Sequence, residues 1–251
     1  MRVSTRELLA IAISRELRDG EVVLTGAASA VPLAACLLAQ AQQAPSLTIL
    51  GAGVYINPRR LVPEFTAGWD CRPVAIGDMA DVFAMTELGI DVMFYGGMQI
   101  DRHGCINVHY VETPRGRQRG PGMANTTLGH TARRTLLYTE RHDRRTLVRE
   151  VDYASVIGHG YRGRSRRELG LPNSGPAALF TPRLVFRPDR GGVLQPAQVL
   201  SGGSWPDVVG GIGWEVCDAE PERLVPAPDE IRLLRERVDV DGLLDPDRTA
   251  R

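Results

Sequence analysis

Apolar and polar positions along the chain recur in two rhythms, one helical and one of short apolar runs, and together they outline an α/β protein. Ser4 and Glu7 stand in the S-x-x-E spacing of a capping box. Leu8, Leu9, Ile11, Ala12, Ile13 and Leu17 follow as a broad apolar face at helical spacing, which ends at Gly20. The run "EVVLTG" predicts a buried strand stopping at Gly26. "VPLAACLLAQAQQ" predicts a second helix with Pro32 in its first turn, where proline is tolerated, and "LTIL" predicts the next strand. The order α-β-α-β implies a parallel sheet with right-handed crossovers.

Further on, "DMADVFAMTELG" predicts a helix and "DVMFYGG" a strand. "INVHYV" predicts another strand, reached through the turn "DRHG". "RRTLLYTE", "LVREVDYAS" and "ALFTPRLVFRPD" add strands. "APDEIRLLRERVD" predicts a terminal helix with Asp229 and Glu230 in its first turn, favourable to the helix dipole, and "DVDGLLDPDRTAR" a tail. The segment "VETPRGRQRGPGMANT" is expected to be a loop, long enough to be functional. No repeat or low-complexity segment interrupts the pattern, so residues 1–245 are expected to form a single domain with a tail over 246–251.

Composition narrows the function classes. Thirty basic and 30 acidic residues give no net charge and no global field toward nucleic acid or a membrane surface. The tryptophans Trp69, Trp205 and Trp214 lack the spacing of a base-stacking platform. Every basic residue is arginine, which excludes a Schiff-base lysine and a P-loop lysine. Cys36, Cys71, Cys105 and Cys217 lie far apart without a CxxC pair, as expected of free thiols in a reducing cytoplasm. Glu7, Arg15, Glu16 and Arg18 break the N-terminal apolar run, so no signal-peptide core is expected, and no stretch approaches a membrane span.

Two glycine-rich strand ends carry the candidate chemistry. In "GGMQIDRHGCIN" small residues follow "VMFY" and allow close approach of a ligand or of backbone. Asp101 to Gly104 suits a turn, with aspartate bonding its own backbone and glycine supplying positive φ. A plain strand-turn-strand corner is the competing reading. In "GPGMANTT" a loop at Gly120 and Gly122 could present backbone N–H groups to an anion or a developing oxyanion, or be a surface loop. His103, Cys105 and His109 suggest a metal site by proximity, but turn geometry intervenes and no carboxylate completes the set. Cys71 reads as a buried small hydrophobe rather than a nucleophile. The arginines of "GYRGRSRRELG" suit either phosphate binding or a solvated face.

Taken together, these stretches resemble the β subunit of class I CoA-transferases of the glutaconate type. "GGMQIDRHGCIN" follows the family's GGxQxDxxGNxN pattern and "GPGMANT" its glycine-rich loop. "VDYASVIGHGY", "RELGLPNSGP" and "APDEIRLLRERVDVDGLLD" match in order, from about Thr5 to Asp245. The resemblance implies a three-layer α/β/α fold with a mainly parallel sheet (the NagB/RpiA-like fold), a homologous α subunit in an αβ or α2β2 assembly, and an acyl-CoA thioester substrate. It implies no bound cofactor, with coenzyme A entering as part of the substrate, and no metal, nucleic acid or membrane partner.

In the family's transferases a glutamate after the second predicted strand attacks the thioester. By the same register it falls at about Gly51 in "TILGAGVY", where Gly51, Ala52 and Gly53 offer no carboxylate. Glycine cannot be acylated, so transfer through this chain's own glutamate is not expected. Two types of relative lack that glutamate: the ring-opening hydrolase of bacterial steroid degradation, also similar to this chain, whose acidic residue comes from the α subunit, and a decarboxylase with a cysteine in its place. The expected pocket residues are Gly51, Ala52, Gly53, Gly97, Gln99, Gly120, Gly122, Asn125 and His130, while Asp101, Gly104 and Asn107 are expected to be structural. The expected chemistry is acyl-CoA hydrolysis or C–C cleavage with an acid or base from the α subunit. Genuine CoA transfer and a non-catalytic scaffold are the competing readings.

Overall fold

The computed structural model describes residues 2–122, 126–245 and 247, with the side chains of Thr66, Ala67, Gly68, Met79, Thr86, Thr126 and Leu128 left aside. It divides into two compact units, residues 1–94 with 224–251, and residues 95–223.

In the first unit the capping box forms as the sequence predicts. Ser4 Oγ accepts from Glu7 N at 3.1 Å and Glu7 Oε2 accepts from Ser4 N at 2.7 Å, opening helix α1 (Thr5–Ser14). The helix ends at Ser14 rather than near Gly20, because Ser14 turns its hydroxyl back onto Ile11 O at 2.8 Å and the chain then descends through turns. Strand β1 (Val22–Thr25) and helix α2 (Ala30–Ala41) follow. Strand β2 (Thr48–Gly51) pairs in parallel with β1, Val23 opposite Ile49 and Thr25 opposite Gly51. Leu9, Ile11 and Ile13 of α1 and Leu33 and Leu38 of α2 are wholly buried, each side chain contributing about 1.5–3 kcal/mol.

After β2 the chain reverses at once. Short strand β3 (Tyr55–Ile56) runs antiparallel to β2, and β4 (Ala75–Ile76) antiparallel to β3. Asp78 caps helix α3 (Met79–Leu88) by accepting from Ala80 N and Asp81 N. Strand β5 (Val92–Tyr95) then returns to the other side of β1, again in parallel.

The second unit starts with a corner: β6 (Gln99–Asp101) and β7 (Ile106–Asn107) are antiparallel, and β11 (Leu147–Val148) pairs in parallel with β6. Between them lie β8 (Tyr110–Thr113), β9 (Gly116–Arg119), α4 (Thr126–Thr131) and β10 (Arg134–Tyr138). Residues 111–119 therefore form a hairpin rather than loop. Val111 faces Gln118 and Thr113 faces Gly116, whose φ of +104° only glycine adopts without strain. The strand expected across "LVREVDYAS" is limited to Leu147–Val148; beyond it Asp152 N turns to the Gln99 side chain and Ser155 N to Ile106 O. Hairpin β12 (Gly160–Tyr161) and β13 (Arg164–Ser165) precedes β14 (Pro176–Phe180), which pairs in parallel with β10. Strand β15 (Leu184–Pro188) adds antiparallel to β14 and β16 (Leu194–Val199) antiparallel to β15, followed by the short helix α5 (Trp205–Val209).

The chain returns to the first unit at Leu224. The predicted terminal helix is α6 (Pro228–Leu233), continuing as a π-helical turn over Leu234–Val238. Glu230 receives Arg15 at 2.6 Å, and Arg235 donates to the wholly buried Glu7 at 2.6 Å. The segment expected as a tail is anchored up to Asp245. Buried Asp239 accepts from Leu243 N and Leu244 N, while Ser4 and Arg6 donate to the carbonyls of Leu244 and Leu243. The α/β fold class predicted from the pattern is the one observed, with central strands paired in parallel. No helix among the described residues is long and apolar enough to cross a membrane.

Candidate functional site

The strand end at Gly51 is closed by its own unit. Ala52 and Gly53 both take positive φ, +50° and +80°, and turn β2 into β3. A Cβ on Gly51 would stand 2.5 Å from Phe65 Cε1, so the Phe65 ring already fills the space a side chain would enter. That ring stacks on Tyr55, centroids 5.4 Å apart, and Phe65 N donates to Ala27 O at 2.9 Å. A Cβ on Gly53 would meet the Val82 methyls at 3.0 and 3.1 Å.

The other expected residues that the structure describes lie in the second unit, around β7 (Ile106–Asn107), Val108 and the segment 155–158. Gly97 is forced by packing, since a Cβ would lie 2.6 Å from Ile106 Cγ2. Met98 N donates to Asn107 O at 2.8 Å. Gln99 Oε1 accepts from Asn107 Nδ2 at 2.8 Å and Asp152 N at 3.0 Å, and Gln99 Nε2 donates to Asp152 Oδ2 at 3.1 Å. Asn107, fully buried, also donates to Tyr110 O at 2.6 Å and accepts from His109 N at 3.0 Å. These amides lock the corner together. Asp152, which was not among the expected site residues, is its third member.

Asp101 caps its own turn. Its Oδ1 accepts from His103 N at 2.9 Å and Cys105 N at 3.0 Å, and Gly104 takes φ +72°. Burial raises the Asp101 pKa, partly opposed by those two amides. His103, Cys105 and His109 are drawn to separate partners: Gly192 O at 3.2 Å, Gly160 O at 3.2 Å and Ser155 Oγ at 2.7 Å. Among the described residues no group of three or more His, Cys, Asp or Glu is placed to hold a metal. Cys71 is buried and its thiol pKa is pushed up, chiefly by desolvation, as fits a small apolar group.

The glycine-rich loop differs from expectation in one respect. The N–H of Gly120 donates to His109 O at 2.7 Å and that of Gly122 to Val108 O at 2.9 Å, so neither amide is open to an oxyanion. Gly120 is small because a Cβ would collide with Met98 Sδ and the Val108 carbonyl. Asn125 lies outside the described residues. His130, half-buried on α4, accepts from Ile157 N at its Nε2 at 3.2 Å. Burial, and then the nearby Arg166, lower its pKa, so the imidazole is neutral with its proton on Nδ1. No hydrogen bond of Nδ1 occurs among the described residues.

Two further buried residues in this unit were not among the expected pocket residues. Arg166 is buried, donating to Ile157 O, to Gly158 O at 2.9 Å and to Asn173, and thus pins the segment that holds His130. It is neither a phosphate clamp nor part of a solvated face. Tyr95, at the end of β5, is buried and bonds the Gly129 backbone; burial pushes its hydroxyl pKa well above 10.

The chain belongs to the Coenzyme A transferase family, whose pattern matches residues 6–210. It is 28% identical over 240 residues to the β subunit of 3-oxoadipate CoA-transferase from Pseudomonas knackmussii, spanning 92% of this chain and 90% of that one. It is 24% identical over 266 residues to the β subunit of glutaconate CoA-transferase from Acidaminococcus fermentans, spanning 94% and 92%. Its fold superposes on the crystal structure of the decarboxylase AibA/AibB with a TM-score of 0.80 at 24% identity, covering 97% of this chain and 98% of that one.

Proposed function

We propose that the chain is the β-like subunit of a heteromeric acyl-CoA enzyme that hydrolyses its substrate or cleaves a C–C bond in it, with the acid or base supplied by an α subunit. The observation that carries this reading is the Phe65 ring packed over Gly51. Attack on a thioester from this position would need a carboxylate where an aromatic ring stands. In hydrolysis a water oxygen bonds the thioester carbon and the coenzyme A thiolate leaves, with the proton taken by the α subunit's base. This chain's part is to hold the acyl-CoA, with the His130 Nδ1–H as a neutral donor to the thioester oxygen. Coenzyme A is then substrate, and no resident cofactor is needed.

A second reading, transfer of CoA between carboxylates with a glutamate from the α subunit, is favoured by the two relatives, both of them β subunits of CoA-transferases. The test is mass spectrometry of CoA species after co-expression with the neighbouring α-like reading frame. The complex would receive a panel of acyl-CoAs with labelled acetate or succinate. Free coenzyme A or a shortened acyl-CoA without label supports hydrolysis or cleavage. Label in a new acyl-CoA establishes transfer and overturns the first reading, and an unchanged panel points to a scaffold.

A further inference from the structure

Within the second unit a cleft of about 270 Å³ opens beside the Asp101–Gly104 turn and includes none of Gln99, Asn107, Asp152 or His130. Four arginines line it, Arg102, Arg149, Arg162 and Arg164, against two carboxylates, Asp101 and Glu150. The Asp101 carboxylate is buried and already holds two backbone amides, so it offers the cleft little counter-charge. Arg164 donates to Glu168 O at 2.5 Å, and Arg162 lies over the Tyr161 ring, 5.1 Å from its centroid. The guanidinium groups of Arg102 and Arg149 make no hydrogen bond or ion pair to any described residue, while the Arg102 carbonyl accepts from Leu194 N at 2.7 Å.

The hairpin β12–β13 is built to bring these charges together. Its two-residue turn puts both Arg162 and Gly163 at positive φ, +49° and +75°, the geometry that matches strand twist in tight hairpins. Like charges brought this close repel even in water-like surroundings. An anion held among them would reverse that sign. Guanidinium forks match phosphate oxygens in pairs, and the volume falls below the range of about 300–1,000 Å³ that encloses a whole drug-sized ligand.

From four arginines lining one small cleft, two of them with guanidinium groups that no described residue engages, we propose that it binds a diphosphate group. The proposal is independent of the catalytic reading above. The diphosphate could be free or part of coenzyme A, and one experiment separates the two.

Inorganic pyrophosphate would be titrated into the full-length chain by calorimetry at low salt. Saturable binding is expected, with affinity falling as salt rises. Arg102→Gln/Arg149→Gln should weaken it at least tenfold. Arg237→Gln, an exposed arginine of the other unit with the same change in charge, should bind within twofold of the parent. Arg149→Gln alone, at an exposed position that folding does not depend on, repeats the test if the double variant is unstable. Displacement of pyrophosphate by coenzyme A would assign the site to the CoA diphosphate, and retention would assign it to a free phosphorylated ligand; each supports the cleft. Absence of saturable binding, or binding by Arg149→Gln and the double variant equal to that of the parent, would overturn it.

Discussion

Two strand ends carry paired glycines, Gly51 and Gly53 at one and Gly96 and Gly97 at the other, and the structure gives Gly51 and Gly97 opposite causes. At Gly51 the glycine makes room for an aromatic ring, and the chain turns straight back into β3. At Gly97 it makes room for Ile106 on a crossing strand, and the chain runs on into a corner held by Gln99, Asn107 and Asp152. The first end is sealed by apolar packing, the second by amide hydrogen bonds. Absence of a side chain therefore says that something approaches closely, and only the neighbour tells whether the space is open to a ligand. The two units differ in titratable character as well. All five histidines lie in residues 95–223, while the first unit is tied by the arginine–carboxylate pairs Arg15–Glu230 and Arg235–Glu7.

The sharpest way to break the comparison is to put a carboxylate at Gly51. Gly51→Glu should destabilise the chain by more than about 3 kcal/mol, from overpacking against Phe65 and from burying a charge. Phe65→Ala in the same chain should recover part of that loss, so the two changes are non-additive in urea unfolding. Additive changes would mean that the ring does not control the position. At the other strand end, Asn107→Ala strips the corner of its link to Gln99 and Tyr110 and should cost about 2–3 kcal/mol by the same measurement. A cost within about 0.5 kcal/mol, the level of an ordinary surface substitution, would show that the amide network does not hold the corner.

How much of this was legible beforehand follows from how local each cause is. The first four elements could be read because the capping box, the apolar faces and the flanking glycines lie within a few residues of one another. The turn role of Asp101 was readable for the same reason. Strand β9, "GRQR", was not, since an exposed polar strand has no apolar alternation. Strand β16 escaped because a proline and two glutamines interrupt it. Phe65 is fourteen positions from Gly51, and Ile157 twenty-seven from His130, so neither neighbour leaves a mark near the residue it decides. Arg166 sits in a run of arginines whose composition suits either phosphate binding or a solvated face, although it alone of those arginines is buried.

Acid should separate the units. Burial, ahead of any charge, lowers the pKa of His130, His142 and His159 from 6.5 in the folded chain. As pH falls below 6.5 the unfolded chain takes up protons before the folded one, so stability present above 6.5 is lost progressively below it. In the first unit Glu230 is held below its usual 4.5 by Arg15 and the Ala227 amide against an opposing desolvation, and that contribution is lost only as pH falls from about 4.5. Hydrogen exchange, corrected for intrinsic rate, should therefore show the segments of residues 95–223 losing protection between about pH 7 and pH 5.5 while α1 and α2 keep theirs. Uniform loss across both units would contradict the assignment.

The smallest effect bears on whether the sealed strand end ever meets a ligand. Thr25 ends β1 directly opposite Gly51, is fully buried, and its hydroxyl has no hydrogen-bond partner among the described residues. An unsatisfied buried hydroxyl is a standing cost, so Thr25→Val, which keeps the shape and removes the polar atom, should raise stability by about 1 kcal/mol. If packing alone governs this end, the thermal shift produced by coenzyme A should be the same in both proteins. If the hydroxyl serves a bound acyl-CoA, the variant would be the more stable alone and lose part of that shift. A variant less stable than its parent without ligand would mean that the hydroxyl is satisfied in solution, and the contrast between an apolar and a polar strand end would then weaken at the position where it is drawn most sharply.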